Sequence, residues 1–158
     1  MHTETELTPA IEQSFLTRNA VGASDLALFL ICDSLYSLIA NIFPDATWFN
    51  TIFGVFGLIL IIALIVRFFK DMKFYKKVNR NTFWYGKFTD EYIGYVSMKA
   101  YQYSFNVMAI LLLLAYLTHY FPEFLNSIGV HEFVKLNMAV LFLSYGLPIL
   151  YRLRKEQD

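Results

Sequence analysis

The side chains that could do chemistry in this sequence are few and widely spaced. Asp33 lies within FLICDSLYSL (29–38), a run otherwise made of apolar residues, serines and one cysteine. At helical spacing it heads a polar face: Asp33, Ser37 and Asn41 recur at i, i+4 and i+8, with Ser34 beside them. A second polar stripe, Lys99, Gln102, Tyr103 and Asn106, follows the same periodicity in the third apolar run, 97–120. Counted from the starts of the two runs, Gln102 to Asn106 fall near the depth of Asp33. Lys99 is about one turn shallower, within reach of its long stem. A carboxylate at the centre of a membrane-inserted helix costs about 2.5–3.5 kcal/mol and faces the bundle interior. Two roles follow. Asp33 is interhelical glue held by Gln102, Asn106 or Lys99, or protonated, or it binds or relays a cation or proton.

Other constellations are poorer. His119 and His131 flank HYFPEFLNSIGVH (119–131), near Glu123 and Glu132, but their i, i+12 spacing across a loop matches no standard zinc site. They read as interfacial histidines, with metal the weak alternative and haem weaker still. The chain has one cysteine, Cys32, which excludes an internal disulfide and a Cys-rich metal site. No Ser-His-Asp pattern, phosphate-binding glycine loop or HExxH motif occurs. The expectation is a protein without enzymatic activity and without a cofactor.

The elements that position these residues are set by composition. The 158 residues are 57% hydrophobic, 18% aromatic and only 16% charged, against about 25% charged in a soluble domain. Four runs, about 25–43, 51–69, 97–120 and 133–151, have the roughly 20 apolar residues that cross a bilayer as a helix. They are continuous rather than alternating, which excludes barrel strands. The second run, IFGVFGLILIIALIV (52–66), carries no polar side chain. The expected fold is all-α: a polytopic membrane protein with a bundle of four transmembrane helices over 25–151. A tail, 1–24, precedes it, with a short amphipathic helix started by Thr8 and Pro9. A basic loop, 70–96, divides it, and a basic-start tail, 152–158, follows. Three spans with 25–43 lying in the interface is the alternative. Gly54 and Gly57 allow close helix approach, and Pro148 frees the carbonyl of Ser144 and kinks the fourth span.

Charge sets the orientation. Four spans place twelve of the 13 Lys and Arg on one face, and only Lys135 on the other. By the positive-inside rule both termini and the central loop are cytoplasmic, in a cell (inner) membrane. Glu4, Glu6 and Glu12 stand where a signal peptide would be basic. Segment 67–99 is basic and interleaved with Phe, Tyr and Trp. These features suit anionic lipid headgroups and the interface. Lys73, Lys76, Lys77 and Arg80 also offer a surface to a cytoplasmic protein partner, whereas a membrane-apposed, Phe-rich loop is a poor site for direct nucleic-acid binding.

Residues 90–117, DEYIGYVSMKAYQYSFNVMAILLLLAYL, resemble a loose group of uncharacterised four-helix prokaryotic membrane proteins. In that group an acidic DER triplet precedes a Lys-Ala pair and the third span. Asp90-Glu91 and Lys99-Ala100 are similar to these elements, and LPILYRLRK (147–155) is similar to the group's closing tyrosine and basic tail. Tyr92 replaces the Arg of the triplet, and the N-terminal tail is longer than the group's. Members are often encoded beside a helix-turn-helix repressor, so the resemblance implies an accessory or regulatory membrane protein without catalytic residues. The expected function is therefore a non-enzymatic accessory or regulatory protein that contacts a partner through 67–99. The alternative is a small homo-oligomeric channel or transporter, or a membrane effector, with Asp33 in its polar pathway.

Overall fold

The structure is a computed structural model that describes residues 8–43, 47–75, 88–120, 123 and 128–155. Among these it is all-helical: α1 (Pro9–Ile42), α2 (Thr47–Tyr75), α3 (Glu91–Leu117), a single 3-10 turn (Thr118–Tyr120) and α4 (Val130–Lys155). All four long helices have the length and hydropathy to cross a membrane.

The expected boundary at residue 24 is not a break in the chain. α1 runs 34 residues without interruption, about 51 Å, so the N-terminal helix and the first span are one rod. Thr8 is the N-cap by its extended backbone, although its side chain makes no capping bond, and Pro9 follows at the first position. Its carbonyl accepts from the backbone N–H of Ile11 at 2.9 Å and Glu12 at 3.1 Å. Tertiary packing holds the stretch across residue 24 helical. Ala20 is fully buried, and Gly146 of α4 lies so close that a Cβ there would stand 2.6 Å from the Ala20 carbonyl and 2.5 Å from Ser24 Oγ.

Three helix pairs, α1–α2, α3–α4 and α1–α4, pack antiparallel, as their cross-helix contacts show. α1 and α2 match Arg18 to Asp71 and Tyr36 to Phe53. α3 and α4 match Tyr101 to Tyr145 and Ser104 to Ser144. α1 also lies antiparallel to α4 along its length, and so runs parallel to α3. α3 begins where Glu12 of α1 receives it. The fully buried Glu12 carboxylate accepts from Thr89 N–H and hydroxyl, each at 2.7 Å, and from Asp90 N–H at 3.0 Å. Asp90 in turn caps α3 by accepting from Ile93 N–H at 2.9 Å. The packed core lies at this end and joins Leu16 and Ala20 to Ile93, Val96, Ala100, Ile149 and Leu153. Farther along, α1 and α4 meet through small residues, Ala27 and Ala139, both fully buried. α4 runs unbroken through Pro148.

Candidate functional site

Two charged layers sit on this scaffold. The first joins α1 to α2 near the packed core. Arg18 pairs with Asp71 at 2.7 Å, and Arg67 pairs with Asp25 at 2.7 Å and reaches Asp71 at 3.6 Å. The Arg18 guanidinium also lies over the Phe74 ring, 4.6 Å from its centroid. Two cations meet two carboxylates, so the layer is neutral.

The second layer joins α1 to α4. Lys135 Nζ contacts Asp33 Oδ2 at 2.5 Å and Glu132 Oε1 at 3.0 Å. The Lys135 and Glu132 side chains are 16% and 9% exposed, and that of Asp33 is 42% exposed. One end of the cluster is therefore enclosed and the other open. Ser34, fully buried, and Ser37 bring their hydroxyls up to the Glu132 carboxylate. Neither Ser34 Oγ nor Glu132 Oε2 completes a hydrogen bond among the described residues.

Local sequence explains the assembly. Glu132 and Lys135 stand one turn apart in the first turns of α4, so their side chains share a face. Asp33, Ser34 and Ser37 lie on consecutive turns of α1, which the close approach at Gly146 fixes in register against α4. Ionised, the cluster holds two negative charges and one positive. An excess charge in an apolar setting is unfavourable without a partner, and a buried carboxylate oxygen and hydroxyl without hydrogen bonds are acceptors for one. The arrangement thus suits one proton or one small monovalent cation.

The level of the cluster follows from α2. The cross-helix pairs place Asp33 beside Phe56 and Gly57, which with Phe53, Phe29 and Tyr36 line a half-open groove of about 300 Å³ between α1 and α2. That level is about 12 Å along the axis from Trp48 and about 16 Å from Arg67. No charged residue of α2 falls between those two.

The expected partners of Asp33 are elsewhere. Gln102, Tyr103 and Asn106 lie on the exposed surface of α3, where Gln102 and Asn106 border a shallow depression with Tyr101 and Phe105. Lys99 Nζ stands 5.8 Å from the centroid of the Tyr95 ring. The misplacement has a geometric cause: depth was counted from where each apolar run begins. Glu12 meets Thr89 and Asp90, and the same offset sets Asp33 level with Ile110 and Leu111, about 8–13 Å beyond Asn106 and Gln102. Ser37 stays with the cluster, while Asn41 is exposed near the end of α1.

Lys135 and Glu132 were the residues missed. Lys135 was counted as a topological charge although it lies inside the fourth apolar run, and Glu132 only as a neighbour of His131. A lysine three residues from a glutamate at the head of an apolar helix was the available signal. His131 is exposed, and His119 lies in the 3-10 turn. Among the described residues no group of three or more His, Cys, Asp and Glu could hold a metal. Lys73 is exposed at the end of α2, while Lys76, Lys77 and Arg80 lie outside the described residues. No family model, curated protein or solved structure matches the chain.

Proposed function

We propose that this chain is a multi-pass protein of the cell membrane whose Asp33–Lys135–Glu132 cluster binds a proton or small monovalent cation inside the bilayer, as part of a channel or transporter. It acts without enzymatic chemistry, with both termini and the 70–96 loop cytoplasmic. One observation carries the reading: three ionisable side chains on two helices, in contact at 2.5 and 3.0 Å, with one negative charge in excess. In this reading the hydrocarbon, about 30 Å thick, spans α2 from Trp48 to Arg67, and the cluster lies in its outer half, about 12 Å from the level of Trp48 and beside the first turns of α4. The neutral layer then lies at the cytoplasmic interface, and α1 from Pro9 to about Gly22 projects beyond it.

The test is flux in proteoliposomes. An imposed pH or sodium gradient should collapse through the wild type and persist with Asp33→Asn and with Glu132→Gln, both of which keep size and folding. Equal flux in all three proteins would remove the cluster from the pathway, and no flux in the wild type would overturn the transport reading.

The projecting ends of α1 and α2, locked by Arg18–Asp71, favour a second reading, that of an accessory protein docking a cytoplasmic partner. Neutralising Lys73, Lys76, Lys77 and Arg80 together should leave insertion intact, since Arg67, Lys70 and the C-terminal basic residues still hold orientation. Recovery of the same bound proteins with and without those charges would sink this reading.

A further inference from the structure

The open end of the cluster is more specific than a proton site requires. Asp33, its side chain 42% exposed, lines the groove between α1 and α2 while Oδ2 contacts Lys135 of α4. The walls of that groove are aromatic and apolar: Phe29 and Tyr36 from α1, Phe53 and Phe56 from α2, with Gly54 and Gly57 leaving its floor low. A Cβ at either glycine would meet nothing within 4 Å, so the space exists without strain. Bare sodium would gain nothing from such walls, whereas an organic cation would use both parts. Aromatic faces attract an ammonium or phosphonium, apolar walls take its substituents, and Asp33 supplies the countercharge. A volume of about 300 Å³ is at the small end of ligand sites.

We propose that the α1–α2 groove binds a small lipophilic organic cation against Asp33, in exchange for one proton. The inference rests on the transport reading above and names its substrate class. Charge balance fixes the stoichiometry. In the empty state one proton offsets the excess negative charge of Asp33, Glu132 and Lys135. When the cation pairs with Asp33, Lys135 stays with Glu132, 3.0 Å away, the cluster is neutral with the cation in place, and the proton leaves to solvent. The titratable groups around Asp33 are Cys32 and Tyr36 on α1 and His131, Glu132 and Lys135 on α4. The facing turns of α2, from Phe53 to Ile61, hold none.

The probe is benzyltrimethylammonium, with neopentylbenzene as its neutral isostere, titrated calorimetrically into the full chain in detergent in two buffers of different ionisation enthalpy. Binding at one site with release of close to one proton is expected. Affinity should fall at least tenfold in Asp33→Asn, and likewise in Gly57→Leu, which fills the groove without touching the charges. The neutral isostere should bind at least tenfold more weakly. Gly57→Leu must keep the wild-type thermal midpoint. If it does not, Phe53→Ala, which removes one aromatic wall, replaces it with the same expected loss. Equal binding of both probes, or unchanged binding in Asp33→Asn, overturns the inference. A wild type with Asp33-dependent proton flux but no probe binding also overturns it and leaves the transport reading standing. Asp33-dependent probe binding with no proton flux even when the probe is supplied on one side of the proteoliposome membrane supports the groove and removes transport.

Discussion

Where α1 and α2 lie beside the packed core, Arg18, Asp25, Arg67 and Asp71 set two cations against two carboxylates. About 12 Å farther along α1, Asp33, Glu132 and Lys135 set one cation against two carboxylates. The residue types are the same, but the outcomes differ. In the first layer every carboxylate has a guanidinium, and the one buried atom without a hydrogen bond, Arg67 Nε, still lies 3.6 Å from Asp71. Nearby, Leu16, Ala20, Val96 and Ile149 exclude water, and that layer needs nothing else to be complete. The second layer is held only by α1 and α4, beyond the core and next to a groove. Its unpaired atoms, Ser34 Oγ and Glu132 Oε2, are oxygens. A balanced network only fixes helices, whereas an unbalanced one fixes helices and leaves a negative charge for the proposed cation to meet.

The sharpest way to break this comparison is to remove the shared cation of the second layer. Lys135→Met leaves Glu132, 9% exposed, without its cation, and breaking a buried pair by removing one partner costs about 3 kcal/mol. The unfolding midpoint of the purified protein in detergent should fall accordingly. Adding Asp33→Asn to that variant should restore part of the loss, because the repulsion between the two carboxylates is then removed while Glu132 stays without a cation. A double variant as unstable as the single one would show that the pair is not coupled.

A smaller effect is expected from the contact that sets both layers in register. Gly146→Ala places a methyl 2.5 Å from Ser24 Oγ and 2.6 Å from the Ala20 carbonyl, and overpacking of this kind costs about 2 kcal/mol. Because α1 and α4 must then separate, cation flux should weaken more than in a variant of equal stability altered at Leu153. Loss of stability with unchanged flux would show that the outer cluster tolerates a shift of α4.

The smallest effect belongs to the balanced layer. Arg18 is 37% exposed, and exposed pairs contribute about 0–1 kcal/mol. Arg18→Gln should lower the midpoint by less than about 1 kcal/mol, with the difference shrinking as salt is raised. A loss as large as that of Lys135→Met would erase the distinction between the two layers.

Much of the architecture was legible in the residues alone. Four apolar runs of helical length and Thr8-Pro9 as a helix start are local properties, because hydrophobicity and backbone propensity act within a few turns. Asp33 was legible as an anomaly for the same reason: a carboxylate within FLICDSLYSL needs a partner whatever the fold. Its partner was not legible. Partners across helices depend on register, and register was decided by contacts distant in sequence. Gly146 seats against Ala20 and Ser24, and Glu12 receives Thr89 and Asp90. These two contacts slide α1 about 8–13 Å from where its apolar run alone would place it, away from Gln102 and Asn106 and onto Lys135. Local composition alone requires that a carboxylate within an apolar run be answered. Only tertiary packing decided that a lysine from α4 answers it, that Glu132 joins them, and that one negative charge is left over.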